Sequence, residues 1–361
     1  MKILTGIDLP LDSPGGSVEL LRDLYFEPDP LIDADVFMLA PASGTETKPK
    51  RSPALLSVTG KAVSGARFWS YVDRLSTAIA DDFTTAEYDV LHLQHLTFGA
   101  TAALQRVLPE LPKIALVHGT DLLYAAEYQT QADVLREVTG SAAAIVVPTK
   151  AMSDRLRQIT PVALEQIVHI PWGVPDHLLT QSHMRPQCRP DALKVLYAGR
   201  LTAEKATSRV ISAVAELDGI ELAVAAPPAE FAALAEQADL SRVRYLGWLS
   251  REELWREFTR QDLLMVPSLK LEAFGLVTIE AQACGLPVAY QPVPGLVEVL
   301  GDSALAVDFE DTRALAICLK RLKDSQAQLE EIASAGLANS RRFPLSRTAR
   351  ELSELSHSVV R

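Results

Sequence analysis

The chain alternates short, mostly apolar runs with stretches whose apolar residues recur at helical spacing. Strands that alternate with helices usually pair in parallel, so this pattern predicts an α/β fold with helices on both faces of parallel sheets. In the first half the predicted strands are 2–7, 35–39, 88–93, 113–117, 143–147 and 167–170. In the second half they are 194–198, 221–225, 244–246, 263–266 and 287–290.

One segment interrupts the alternation. The stretch IPWGVPDHLLTQSHMRPQCRPDALK, which begins at Ile170, is rich in Pro, Gly and polar residues and has no apolar period. We therefore predict two Rossmann-like domains, an N-terminal one over 1–172 and a C-terminal one over 173–343. A last helix over about 344–361 is expected to pack back on the first domain, and a loop is expected over 41–66.

This topology also predicts where functional residues lie. Open parallel sheets bind ligands at the carboxyl ends of their strands. Two such domains facing each other across a cleft form a site of the kind that small molecules occupy. Residues with chemistry are therefore expected directly after the strands.

Composition narrows the class of protein and its compartment. With 361 residues, 48% of them hydrophobic, the chain is long enough for two cores. It has no apolar run of 18 residues, and its N-terminus lacks the apolar region of a signal peptide. The cysteines (Cys188, Cys284 and Cys318) show no metal-ligand spacing, which favours a reduced, cytoplasmic setting.

The net charge of −11 argues against nucleic acid or an anionic membrane surface as a partner. Residues 1–180 carry 14 Lys and Arg against 22 Asp and Glu, whereas residues 181–361 carry 21 against 24. Most of the acidic excess therefore lies in the first half, where it bears on the kind of substrate that this half attracts.

The segment SLKLEAFGLVTIEAQACGLPV, residues 268–288, places two carboxylates around a predicted helix start. The apolar pattern from Gly275 onward predicts a mostly buried helix, with Glu272 in the loop before it and Glu280 in its second turn. Free N–H groups and the helix dipole make such a start an anion site. Either the carboxylates flank a bound phosphate, or Glu280 is a solvated helix residue and Glu272 a loop charge.

Cations, glycines and a histidine follow other predicted strands. The segment YAGRLTAEK brings Arg200 and Lys205 to the end of a strand, either to bind an anion or to pair with surface acids. Gly15 and Gly16 either let backbone N–H groups approach a pyrophosphate or form a plain turn. His118, which begins the segment HGTD, is a functional candidate or packs beside a helix cap.

These segments resemble a known family. GRLTAEK followed by PSLKLEAFGLVTIEAQACGLPV resembles the second domain of retaining glycosyltransferases with the GT-B fold, and among them glycosyltransferase family 4 with its Glu-x7-Glu motif. GGSVELL and HGTD are similar to elements of that family's first domain, so the resemblance covers nearly the whole chain. It implies transfer of a sugar from a nucleotide donor to an acceptor, with retained anomeric configuration and without a metal or other cofactor.

The resemblance also implies roles for individual residues. Arg200 and Lys205 would neutralise the donor pyrophosphate in place of a metal ion. Glu280 would accept hydrogen bonds from the ribose and Glu272 from the donor sugar, while His118 would contact the sugar near its reacting carbon. The implied catalytic set is His118, Arg200, Lys205 and Glu272. The implied donor-binding set is Gly15, Gly16, Phe274, Gly275, Leu276, Val277, Thr278, Glu280 and Trp248.

Some segments depart from the family pattern. Where the family often has a Gly-x-Gly turn, this chain has AVAAPPAEF with Pro227 and Pro228. QPVPGLVEVL lacks the usual Gly-Gly, so the resemblance does not carry over donor-sugar contacts near Pro294 and Gly295. Trp248, in YLGWLSREEL, either forms a wall against the base or packs in the core.

The acidic first half predicts the class of acceptor. Acidic clefts attract cations, so we predict a small, soluble, amine-bearing acceptor, such as an aminocyclitol or amino sugar of antibiotic biosynthesis. A neutral acceptor or a thiol stays open, and the alternative for the acidic residues of the first half is a solvated surface that serves solubility. The candidate acceptor-binding residues are Asp8, Asp12, Glu19 and Asp121, with His95 in the pocket. His92 and His95 lie three apart on a strand, face opposite ways and are a poor metal pair.

Two other functions are consistent with the sequence. A sugar-nucleotide epimerase on the same fold would need no separate acceptor, and a two-lobed binding protein would hold a sugar without turnover. The choice between uridine and guanosine diphosphate, the donor sugar and the oligomeric state are left open.

Overall fold

The computed structural model describes residues 1–26, 29–41, 53–181, 191–202 and 208–360. The chain divides into two compact units, one of Met1–Trp172 with Leu345–Arg361 and one of Gly173–Pro344. Each unit is built on its own parallel sheet, so the predicted α/β architecture of two Rossmann-like domains is confirmed. The assignment of acceptor and donor to these two units stays a prediction.

The first unit is a seven-stranded parallel sheet with helices between its strands. Its strands are β1 (Ile3–Pro10), β2 (Ala34–Leu39), β3 (Ala54–Leu56), β4 (Val90–Leu93), β5 (Lys113–Leu116), β6 (Ala144–Val147) and β7 (Ile167–His169). Its helices are α1 (Gly16–Tyr25), α2 (Gly65–Asp82), α3 (Phe98–Val107), α4 (Thr120–Glu127), α5 (Gln129–Ser141), α6 (Lys150–Ile159) and α15 (Leu345–Val360). The strand order β3-β2-β1-β4-β5-β6-β7 has its switch point between β1 and β4, where such sheets bind ligands.

The second unit is a six-stranded parallel sheet. Its strands are β8 (Leu193–Ala198), β9 (Ile220–Ala225), β10 (Arg244–Gly247), β11 (Leu263–Val266), β12 (Val288–Tyr290) and β13 (Leu305–Ala306). Its helices are α7 (Asp176–Thr180), α8 (Ser208–Ala215), α9 (Pro228–Ala235), α10 (Arg251–Phe258), α11 (Leu276–Ala283), α12 (Pro294–Leu300), α13 (Thr312–Lys323) and α14 (Gln326–Ser340). The order β10-β9-β8-β11-β12-β13 places its switch point between β8 and β11.

The central strands are apolar runs because helices cover both faces of each sheet. All residues of β6 and of β11 are buried, which is typical of strands in doubly covered parallel sheets. Helix α15 belongs to the first unit, where Ser356 Oγ lies 2.8 Å from His92 Nε2 on β4. Thr348 Oγ1 also donates to the Pro171 carbonyl oxygen at 2.8 Å. His92 thus has a packing role.

Two edge strands, β3 and β13, were not predicted. An edge strand pairs on one side only, so three or two residues suffice, and such lengths leave no periodic signal. Strand β3 lies within the stretch 41–66 for which a loop was expected, and this part of the prediction is wrong. Residues 42–52 of that stretch lie outside the described residues.

Candidate active site

The candidate site of the second unit lies at the switch point of its sheet, where β8 and β11 are neighbours. The chain leaves β8 through Gly199 and Arg200, and it leaves β11 through the loop that holds Glu272. The N–H of Gly199 donates to Ala225 O at 3.0 Å, which ties the first of these loops to the end of β9. Two adjacent strands thus deliver a cation and a carboxylate to one edge of the sheet.

Helix α11 begins after Gly275, as the sequence predicted. Gly275 has a φ of 78°, in the left-handed region that favours glycine. The N–H and the hydroxyl of Thr278 both donate to Gly275 O, at 2.8 and 2.6 Å. Thr278 is therefore buried and closes the first turn, whereas Leu276 and Val277 are half-buried at the helix start. Such a start offers backbone N–H groups and the positive end of the helix dipole.

Glu272 lies in the loop before α11, where it is half-buried. Its Oε2 accepts a hydrogen bond from Ser268 Oγ at 3.0 Å. Helix α12 approaches this loop closely, since a Cβ built on Gly295 would lie 1.9 Å from the Glu272 carbonyl oxygen. Gly295 therefore supports the Glu272 loop through the backbone, a role that no motif indicated.

We expect Gly295→Ala to destabilise the protein by about 1–3 kcal/mol, because the added methyl group overlaps a backbone oxygen. Urea unfolding measures this change in the free energy of unfolding. Gly140→Ala in α5 is the matched control, since nothing lies within 4 Å of a Cβ built there. A helical Gly→Ala change without a clash should stabilise by about 0.5–1 kcal/mol. Equal effects of the two substitutions would contradict the steric explanation.

Glu280 is buried on α11 and pairs with Arg251, the first residue of α10. Arg251 Nε and Nη2 lie 2.6 and 2.5 Å from Glu280 Oε1, and the two side chains are only 13% and 8% exposed. This burial overturns the alternative in which Glu280 is a solvated helix residue. The sequence analysis missed Arg251, although the capping box of Ser250 and Glu253 marks the start of its helix.

Arg200 follows β8, and its side chain is 51% exposed. Its Nε donates to Glu230 Oε1 at 2.9 Å, and its carbonyl oxygen accepts from the Tyr197 hydroxyl at 2.5 Å. Arg200 thus pairs with an acid, one of the two alternatives that the sequence left open, while half of its side chain still meets solvent. Lys205, the other predicted cation, lies outside the described residues.

The Tyr197 hydroxyl interacts with both Arg200 and Glu272. The ring is buried, and the pKa of its hydroxyl is raised first by burial and then by the carboxylates of Glu230 and Glu272. The same hydroxyl, whose pKa both carboxylates raise, donates to Arg200 O. Tyr197 and Glu230 therefore both contact Arg200 at the carboxyl end of β8, and Glu272 is near enough to affect the Tyr197 hydroxyl.

Two residues of the predicted donor-binding set have contrasting surroundings. Phe274 is buried and packs edge-to-face on Phe343, with ring centroids 5.2 Å apart. Its side chain packs in the core, and donor binding at Phe274 stays a prediction. Trp248 follows β10 and is 42% exposed, so the interpretation that it packs in the core is wrong.

The candidate site of the first unit lies at the carboxyl ends of β1, β4 and β5. Gly15, with a φ of 145°, precedes α1, and its carbonyl oxygen accepts from the N–H groups of Val18 and Glu19. Gly16 is exposed at the first position of α1, and Asp12 is exposed in the turn before it. Glu19 is half-buried in the first helical turn. This turn is open to solvent, as contact with a ligand requires.

His118 and His95 lie side by side, with ring centroids 5.0 Å apart. His118 also stacks on Trp172 at 5.6 Å, and its shielded Nε2 has no hydrogen-bond partner in the described parts of the chain. Burial lowers the pKa of both rings, that of His95 to about 3, so both are neutral at neutral pH. A buried nitrogen without a partner is unfavourable, which suits a group that completes its bonding with a ligand.

Asp121 is fully buried in the first turn of α4. Its Oδ2 accepts from the Leu96 N–H at 3.2 Å and its Oδ1 from the Leu122 N–H at 3.1 Å. Burial raises its pKa to about 6, although these backbone donors act in the opposite sense. A carboxyl group without exposed surface holds the loop after β4 in place, which corrects the prediction that Asp121 contacts the acceptor.

Asp8, another candidate partner for an ammonium group, is also buried. Lys61 Nζ lies 3.3 Å from its Oδ2 and donates to its carbonyl oxygen at 2.5 Å. Of the other predicted acids, Asp12 is exposed and Glu19 is half-buried, and their contact with an acceptor stays a prediction. Lys61 was not predicted, because it lies between secondary-structure elements where no periodic pattern marks a residue.

Metal ligation and membrane insertion depend on grouped ligands and on long apolar helices. Across the described ranges of the chain, no three or more His, Cys, Asp or Glu side chains are grouped so that they could hold a metal ion. None of the helices in those ranges has the length and apolar character needed to cross a membrane. Independence of a metal ion stays a prediction.

Each half of the chain matches a family of glycosyltransferases. Residues 32–178 match the family described as Glycosyltransferase Family 4, and residues 182–338 match Glycosyl transferases group 1. The D-inositol 3-phosphate glycosyltransferase of Nocardioides sp. is 30% identical over 307 residues, which are 73% of this chain and 66% of that protein. The enzyme of the same name from Mycobacterium marinum is 37% identical over 150 residues, 38% of this chain and 32% of that protein. The chain thus spans less than two thirds of the length of these relatives.

Two solved structures are similar to the whole chain. Sucrose-phosphate synthase from Thermosynechococcus elongatus has a TM-score of 0.81 at 20% identity, covering 99% of this chain and 98% of that one. Anabaena HepE, solved in complex with UDP and glucose, has a TM-score of 0.77 at 21% identity, covering 99% and 100%. At such identities the likeness shows the GT-B fold alone. By its two family matches, the chain belongs to the glycosyltransferases, to family 4 over residues 32–178 and to group 1 over residues 182–338.

Proposed function

We propose that the protein transfers a sugar from a nucleoside diphosphate donor to a small acceptor, with retention of anomeric configuration and without a metal ion. One observation carries this proposal: Arg200, Glu272 and the start of α11 converge at the switch point of the second sheet. A cation and a helix start suit a diphosphate, and a carboxylate suits sugar hydroxyls. The family matches support the same reaction class.

In this proposal each residue has a distinct task. Arg200 and the N–H groups at the start of α11 stabilise the charge that develops on the leaving diphosphate, with Lys205 as a second cation. Glu280 binds the ribose and Glu272 the transferred sugar. Gly16 offers its N–H to the phosphate, and the neutral His118 bonds a sugar hydroxyl near the reacting carbon. The acceptor attacks from the face that the diphosphate leaves.

A thermal-shift screen against UDP and GDP tests the donor class. A ligand at a hundredfold its dissociation constant should raise the free energy of unfolding by about 2.7 kcal/mol. Release of the diphosphate that depends on an acceptor would support transfer. A sugar-nucleotide epimerase would instead act on the donor alone, and stable sugar binding without turnover would indicate a binding protein.

For the acceptor we propose a small, amine-bearing cyclitol or amino sugar, because the first 180 residues carry the larger acidic excess. Asp12, exposed beside the start of α1, and Glu19 in its first turn are the acids that support this class. A second candidate is a phosphorylated cyclitol, since two relatives are named for inositol 3-phosphate. Lys61, which is 34% exposed beside Asp8 of β1, favours that alternative.

The salt dependence of the acceptor KM separates these candidates from a neutral acceptor. We expect the KM of a cationic acceptor to rise steeply with ionic strength, because salt screens its attraction to acidic groups. N-acetylation of the acceptor should abolish transfer. Full activity with the acetylated compound would refute the amine, and dependence on an acceptor phosphate would favour the second candidate.

A further inference from the structure

The loop after β8 is held by a carboxylate from a different element. Glu230, in the first turn of α9, accepts from Arg200 Nε at 2.9 Å with Oε1 and from the Leu201 N–H at 2.6 Å with Oε2. Each oxygen thus has its own donor, one on the side chain of Arg200 and one on the backbone that follows it. The carboxylate therefore determines both the course of the loop and the orientation of the guanidinium group.

The contact with Glu230 uses only one edge of the guanidinium group. Arg200 uses Nε toward Glu230, and among the described residues Nη1 and Nη2 have no protein partner. The Arg200 side chain is 51% exposed, whereas that of Glu230 is 23% exposed. A planar guanidinium group that is held at one edge presents its other N–H donors in a fixed orientation, and this geometry suits a phosphate.

The local sequence explains how Glu230 reaches Arg200. Pro227 and Pro228 have no backbone N–H group, and proline is tolerated at the first position of a helix. Pro228 begins α9, and the first helical turn then brings Glu230 to Arg200.

We propose that Glu230 is a positioning residue that orients Arg200 for the donor diphosphate. This inference rests on the proposed function, because it requires a diphosphate to bind at Arg200. Glu230 does not contact the diphosphate itself. A simpler role, in which Glu230 only favours the start of α9 through the helix dipole, predicts no coupling to Arg200.

The test compares Glu230→Gln with wild type by calorimetric titration of UDP and GDP. Gln keeps the length of the side chain, but only its oxygen can accept a hydrogen bond. The guanidinium group of Arg200 is therefore held less firmly. We expect the affinity for whichever diphosphate binds to fall about fivefold, the upper range for an exposed ion pair. Affinity for the nucleoside alone, uridine or guanosine, should be unchanged. Glu236→Gln, an exposed acid at the end of the same helix, is the matched control and should behave as wild type.

A double-mutant cycle distinguishes orientation from general structure. In an Arg200→Ala background, Glu230→Gln should cause no further loss of diphosphate affinity, since there is no guanidinium left to orient. An undiminished effect in that background, or tighter diphosphate binding by Glu230→Gln alone, would overturn the assignment. A wild-type protein that binds the diphosphate no better than the variant overturns it as well. A wild-type protein that binds neither UDP nor GDP overturns the proposed function, and the assignment with it.

Discussion

Arg200→Ala should reduce turnover by about 10²- to 10³-fold, the loss typical of removing one group that stabilises charge in a transition state. The leaving diphosphate carries more charge in the transition state than in the bound donor, so the guanidinium group contributes more to catalysis than to donor binding. Half of the Arg200 side chain is exposed, so the fold should survive its removal. Steady-state release of diphosphate, with kcat and KM determined separately, measures the effect.

Arg313→Ala is the matched control for this substitution. Arg313 is an exposed arginine at the start of α13, and the variant loses the same charge from the same unit. It should retain wild-type turnover. The account would fail if both variants lost activity equally, or if Arg200→Ala were inactive because it had lost its thermal unfolding transition.

Glu280→Ala should affect both stability and nucleotide binding. Its removal takes the carboxylate away from the guanidinium group of Arg251, which is only 13% exposed. Breaking a buried pair in this way costs about 3 kcal/mol of the free energy of unfolding. Glu280→Gln keeps the shape, and we expect it to weaken UDP or GDP binding by about 1.5–3 kcal/mol, because the ribose hydroxyls lose a charged acceptor. Urea unfolding and calorimetric titration measure the two effects separately.

Two comparisons sharpen this prediction. Glu252→Gln, an exposed position on α10 next to Arg251, should change neither quantity. Glu272→Gln should depress turnover more than diphosphate affinity, because Glu272 is proposed to contact only the transferred sugar. Equal losses of diphosphate affinity in the Glu272 and Glu280 variants would show that this division of roles is wrong.

The elements that frame the candidate site could be predicted because their signals are local. Strand β11 is an unbroken apolar run that helices cover on both faces. Gly275 marks the start of α11 because its left-handed conformation suits glycine. Strands β3 and β13 escaped prediction because edge strands of three and two residues have no measurable period. Phe274 was assigned to the donor from its place in a motif, whereas its contact with Phe343 depends on packing.

By itself the sequence determined the two parallel sheets, all of their strands except β3 and β13, and the position of Glu272 and Glu280 around a helix start. These features depend on residues close together in the chain, whose spacing records burial and helix starts. Only the tertiary structure decided which charges are already paired. Arg251 and Glu280 are 29 residues apart, Arg200 and Glu230 are 30, and Lys61 and Asp8 are 53. No periodic pattern spans such distances, because these pairs form only where different helices and strands pack together.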